Sequence, residues 1–200
     1  IYKKTAGFLT GRSKGESRER RCDRNFRNFV FSEGITGERN VERYQKIIQN
    51  KIFQREYQRL KKKERDRRFC CHDMEHFLAV ARICYIIVLE KKLEISKDII
   101  YGTAFLHDLG RMEEYENGKS HEEAGADLAE EILPECGYEP WEISLITDTI
   151  RGHRREGQSD PESFSDIFYD ADKLSRDCIH CSAKKECYWP EDKKNNRYRY

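Results

Sequence analysis

Ala104-Phe105-Leu106-His107-Asp108-Leu109-Gly110 closes an apolar run at a glycine and sets an imidazole beside a carboxylate. Such a doublet at the mouth of a buried helix can share one hard divalent cation. The run belongs to a helix predicted over residues 97 to 109. Upstream, Phe77, Val80, Ala81, Cys84, Ile87 and Val88 recur at helical intervals as an apolar stripe, with His76 at its border. Downstream, Ser120 with Glu123 reads as a capping box ahead of Ala124, Leu128, Ile132 and a terminating Pro134. Pro140 opens another helix, whose face of Ile143, Ile146 and Ile150 leads by the same step to His153. A last helix covers about 164 to 176, and no segment alternates like a strand, so the predicted fold is all-α.

Farther out, the 200 residues divide by composition. Residues 1 to 40 carry Gly7, Gly11, Gly15, Gly34 and Gly37 with little apolar period and read as an extended basic arm. Residues 41 to 68 read as one long polar helix, with Val41, Tyr44, Ile48 and Ile52 on a face that runs into the solvated Lys61-Lys62-Lys63-Glu64-Arg65. Residues 69 to 176 form the core, and 177 to 200 a short cysteine-containing C-terminal segment. Residues 1 to 68 hold 21 Lys/Arg against 9 Asp/Glu, and the remainder 17 against 28. A basic arm of this kind suits a polyanion such as nucleic acid. Its Phe26, Phe29 and Phe31 favour packing against the acidic remainder or across a homodimer. No apolar stretch approaches the ~20 residues of a membrane helix, and the opening Ile-Tyr-Lys-Lys has no signal-peptide pattern. With eight cysteines expected to be reduced thiols, the predicted setting is cytoplasmic, with no membrane partner.

Four helices offer polar groups at their inner margins: His76, His107 with Asp108, His153, and Asp172. Imidazoles and carboxylates facing inward build a cation site, for Mn, Fe, Co, Ni or Zn on the imidazole side and harder ions such as Mg on the carboxylate side. Lys173 beside Asp172, Arg176 one turn on, Arg111 after the doublet and Arg154 after His153 are candidate cationic donors. Asp73 is a candidate carboxylate for orienting His76 or a water, with Glu113 and Glu114 competing for that role.

The order His72-Asp73-x-x-His76, Phe105-Leu106-His107-Asp108-Leu109-Gly110-Arg111, His121-Glu122-Glu123-Ala124-Gly125-Ala126, Ile150-Arg151-Gly152-His153 and Tyr169-Asp170-Ala171-Asp172-Lys173-Leu174 resembles the HD-domain metal-dependent phosphohydrolases. The resemblance covers about residues 70 to 176 and departs in reading Ala79-Val80-Ala81-Arg82 where many relatives have Arg-Val after the first metal His. It implies an HD-domain helical bundle with metal on His76, His107, Asp108 and Asp172, with Asp73, Asp108 and Lys173 as catalytic candidates. It also implies that His121 and His153 contact substrate phosphate or a second metal, and Arg111 and Arg176, as cationic donors, are candidates to join them. The expected reaction is hydrolysis of a phosphate ester or anhydride of a nucleotide or related small phosphate compound. Two alternatives stand beside it: a non-catalytic nucleotide- or nucleic-acid-binding module, and a di-iron oxygenase on the same scaffold.

Cys178-x-x-Cys181-x5-Cys187 has metal-ligand spacing and suits zinc or an iron-sulfur cluster. If the helices bearing His76 and Asp172 run antiparallel, Cys70 falls near Cys178 and supplies the fourth ligand, with Cys71 and Cys22 as alternatives.

Overall fold

The computed structural model describes residues 42–154 and 160–200, so the basic arm, Cys22 and residues 155–159 lie outside the described residues. Among those described, eight α-helices and two short 3-10 turns account for the regular structure, with no strand.

The long helix expected over 41 to 68 is two, α1 (Arg43–Gln49) and α2 (Lys51–Lys63). Asn50 between them is extended, with ψ 136°, and its side chain accepts the N–H groups of Ile52 and Phe53 at 2.8 and 3.4 Å. The break rotates the apolar face. Ile47, Phe53 and Leu60 become the buried positions, while Ile48 and Ile52 are only half-buried. Arg43 ties α1 to the core through Asp98 at 3.0 Å and Glu142 at 2.5 Å, with its guanidinium 4.6 Å from the Tyr138 ring centroid.

α3 (Met74–Glu90) buries the predicted stripe, Phe77 and Val80 fully. Burying a Phe of this kind contributes about 2–3 kcal/mol. α4 (Lys97–Leu106) is capped by Ser96, and the chain then turns tightly through 107–110, with Leu109 and Arg111 N–H groups bonded three residues back. A short helix with no counterpart in the predicted set follows directly, α5 (Arg111–Asn117). Glu113 and Glu114 suit the positive end of a helix, Met112 is buried, and Gly118 at φ 73° supplies the left-handed stop.

α6 (His121–Glu135) starts at its Ser120 cap and runs through Pro134, which does not end it. The carbonyl deprived of its donor there belongs to Glu130, on the exposed face, where water can satisfy it. α7 (Pro140–Gly152) follows a capping box of Glu139 and Glu142, and α8 (Phe164–Leu174) ends two residues short of the expected limit. α3 packs between α4 and α8, and α6 packs against α7. Among the described residues, no helix is long and apolar enough to cross a membrane.

Candidate metal centre

Five helix ends meet at Asp108. His76 lies in the first turn of α3, His107 caps the C-terminus of α4, His121 is the first residue of α6, His153 caps α7, and Asp172 sits in the last turn of α8. Two glycines permit the crossing that brings α6 to the doublet. A methyl group on Gly110 would collide with the backbone of His121, Ala124 and Gly125, and one on Gly125 would press on the carbonyls of Leu106 and His107 at 3.2 Å.

The two oxygens of Asp108 face different partners. Its Oδ2 is 3.1 Å from His107 Nε2, 3.4 Å from His76 Nε2 and 3.8 Å from His72 Nε2. Its Oδ1 is 3.4 Å from His121 Nε2 and 3.9 Å from His153 Nε2, and it accepts from Arg111 Nε at 2.8 Å. Asp172 Oδ1 completes the first group, 3.5 Å from His76 Nε2, while its Oδ2 accepts from Lys173 Nζ at 2.5 Å. Two sets of ligand atoms therefore share one carboxylate: His76, His107 and Asp108, and Asp108, His121 and His153.

The outer nitrogens settle what the inner ones can do. His107 Nδ1 donates to the Ala104 carbonyl at 2.8 Å and His153 Nδ1 to the Ile150 carbonyl at 2.6 Å. His121 Nδ1 is 2.9 Å from Glu114 Oε2. Ser175 Oγ donates to the Asp172 carbonyl at 2.7 Å, which leaves its oxygen to accept from His76 Nδ1 at 3.2 Å. With Nδ1 protonated, each Nε2 presents a lone pair inward, and the lone pairs meet in twos: His76 with His107 at 3.3 Å, His121 with His153 at 3.2 Å. Two nitrogens bound to one ion at ~2.0–2.1 Å and tetrahedral angles stand ~3.3 Å apart. The donor set fits a cation, and without one the facing lone pairs repel.

Electrostatics agree. Burial alone would raise the Asp108 and Asp172 carboxyls, but His107 and Arg111 for the first, and Lys173 and His107 for the second, hold both below the usual carboxylate range. Burial would likewise depress His107, yet Asp108 and Asp172 carry it above the ordinary imidazole value: the two carboxylates draw positive charge into the centre. On the other side of Asp108, desolvation and then Arg111 push His121 down to about 2, and desolvation lowers His153. Those two imidazoles are neutral acceptors.

The centre forms the floor of a cleft of about 390 Å³ lined by His72, His76, Asp108, His153 and Asp172, with Arg67, Arg154, Lys173 and Arg176 as cationic walls and Phe69, Tyr169, Tyr188 and Trp189 as aromatic ones. Arg111 lines it too, already engaged on Asp108. Asp73 does not join them: it is the N-cap of α3, accepting the His76 N–H at 3.0 Å, and lines a separate depression beside α2. Glu114 orients His121 and pairs with Arg154, and Glu113 pairs outward with Asn117. Arg82 is exposed on α3.

Four groups were not anticipated. His72 turns its Nε2 toward Asp108 and its Nδ1 to Glu64 at 2.8 Å. Tyr115 donates to the same Glu64 oxygen at 2.6 Å, and Ser175 holds His76. The only signal for His72 was its place in His72-Asp73-x-x-His76; Glu64 sat in a charge run and Ser175 in an ordinary helix end.

The sequence model of the HD domain matches residues 73–177. A Clostridium beijerinckii protein described as uncharacterized is 42% identical over 160 residues, which is 80% of this chain and all of the relative. Among solved structures, a predicted HD superfamily hydrolase from an uncultured Thermotogales bacterium is similar at a TM-score of 0.54 and 23% identity, over 76% of this chain and 80% of that one. At that identity the likeness is one of fold.

Proposed function

The chain belongs to the HD-domain family, and from that premise we propose that it is a metal-dependent phosphohydrolase cleaving a phosphate ester or anhydride of a nucleotide or related small phosphate compound. One observation carries the reading: four imidazoles, each with its outer N–H engaged, aim their Nε2 lone pairs at the two oxygens of a single buried carboxylate. His76, His107, Asp108 and Asp172 would hold the principal ion, and His121 and His153 a second on the far oxygen of Asp108. A divalent transition metal or Mg held there supplies Lewis acidity, which makes a nucleophilic oxygen available at neutral pH and polarises the phosphoryl group.

The chain's own side chains do the rest. Lys173, leaning 4.8 Å from the Tyr169 ring centroid, holds Asp172 in place and leaves its remaining N–H groups toward the cleft. Arg67, Arg154 and Arg176 offer the positive charge that a transferring phosphoryl group needs as its charge spreads. Arg111, engaged with Asp108 and Glu114, is a positioning residue. Tyr169 and Trp189 give flat faces against which a nucleobase can lie.

The test is elemental analysis of anaerobically purified wild type and Asp108→Ala, with phosphate release from a nucleotide panel assayed alongside. The expected result is phosphate release, and metal beyond any iron accompanied by acid-labile sulfide, in the wild type, and loss of both in Asp108→Ala with helical circular dichroism retained. Full metal occupancy in the variant would overturn the site. A second reading is favoured by the carboxylate shared between two imidazole pairs, a donor set that suits two irons and dioxygen chemistry. Oxygen uptake without phosphate release would select it.

A further inference from the structure

The described cysteines fall into separate environments. Cys84 and Cys136 are buried in the core, where desolvation pushes the Cys84 thiol up to about 12. Cys71 turns its sulfur to the carbonyls of Phe69 and Arg67, at 3.5 and 3.7 Å. Cys70, Cys178, Cys181 and Cys187 remain, all free thiols, with Cys70 and Cys187 lining the cleft. We propose that these four hold a [4Fe–4S] cluster that fastens the C-terminal segment across the mouth of the cleft.

Contacts between remote parts of the chain gather them. Arg68 pairs with Glu186 at 2.5 Å, and the Phe69 and Tyr188 rings lie 6.5 Å apart, which sets Cys70 beside Cys187. The Arg176 guanidinium lies 3.9 Å from the Trp189 ring centroid, and Asn195 donates to the carbonyls of Lys173, Leu174 and Arg176 at 2.8, 3.3 and 2.9 Å. Those contacts fold the end of the chain back onto the end of α8. Tight turns then present the sulfurs: the Lys184 N–H bonds the Cys181 carbonyl at 3.1 Å, and the Cys187 N–H the Lys184 carbonyl at 3.4 Å. The thiols feel one another. Cys70 is raised first by desolvation, while Cys178, Cys181 and Cys187 each add to the rise and Arg176 opposes it.

Spacing distinguishes the kinds of centre. A single tetrahedral zinc with Zn–S bonds of ~2.3 Å would set its sulfurs ~3.8 Å apart. Among the described residues, no three cysteine sulfurs lie within 4.8 Å of one another. A cubane cluster binds one thiolate at each of its irons and so calls for sulfurs set farther apart than a single zinc does. Such a centre is anionic overall, and Arg176 and Lys194, which both interact with these sulfurs, supply the facing charge. Its role is structural. The segment it fastens carries Tyr188 and Trp189, two walls of the cleft.

The inference stands apart from the His–Asp centre, because acid-labile sulfide reports only the cluster. The full chain, purified anaerobically, is expected to contain about four sulfides with four accompanying irons and a broad visible absorbance. Both should be lost in Cys70→Ser and in the double variant Cys178→Ser/Cys181→Ser, and kept in Cys71→Ser. Oxidative removal of the cluster from the wild type should speed proteolysis within residues 177 to 200. Zinc without sulfide, sulfide retained in Cys70→Ser, or no metal at these thiols would overturn the cluster. Unchanged proteolysis would overturn the fastening.

Discussion

Asp108 shows how one side chain organises a site. Buried and held by Arg111, it cannot swing, so each oxygen keeps its own pair of imidazoles. Glu64 does comparable work one layer out. Burial would raise its carboxyl from 4.5, but hydrogen bonds from His72 and Tyr115 outweigh that and hold it at about 2. The unfolded chain therefore takes up this proton first as pH falls, so the contribution is present above about 4.5 and lost progressively toward 2. Glu64→Gln should lose that dependence: its thermal stability between those limits should fall less steeply than the wild type's, and parallel curves would show that Glu64 does not titrate as described. The residues gathered around Asp108 were legible because each borders an apolar stripe or a helix end in sequence. Their supports were not. Ser175 meets His76 across 99 residues, and Glu64 reaches His72 by way of a turn that no local pattern announces.

Helix ends are the working parts of this fold. The periodicities of α3, α6, α7 and α8 were readable because their buried faces repeat regularly. α5 was missed because its seven residues bury only Met112, too little for an amphipathic signal. The break at Asn50 was missed because the apolar spacing continues across it while the backbone does not, a side-chain cap overriding a period. The closest crossing, between the turn after α4 and the start of α6, gives a prediction at this scale. Gly110→Ala places a methyl group against main-chain atoms, including the Ala124 carbonyl carbon at 2.8 Å, which cannot move without shifting His121. The variant should lose about 3 kcal/mol or more of stability in denaturant unfolding. Wild-type stability would mean that the two segments separate freely.

At the scale of the molecule, a cation on the His–Asp centre would tie together helices that packing brings near one another. An ion present at about a hundred times its Kd would add about 2.7 kcal/mol. Chelation should therefore lower the wild-type Tm by roughly 5–10 °C, and should leave Asp108→Ala unaffected. An equal drop in both proteins would place the stabilising metal elsewhere.

The pairing of Ser175 with His76 also imposes an order in time. His76 leaves the ribosome about a hundred residues before the group that aligns it, and Asp172 emerges only just ahead of that group. Closing so long a loop costs little more entropy than closing one of half the length, yet it cannot begin until α8 has been synthesised and has docked on α3. A nascent chain that has already made His76, His107 and Asp108 thus presents an unfinished set of donors, and the complete centre appears only as the last helix closes.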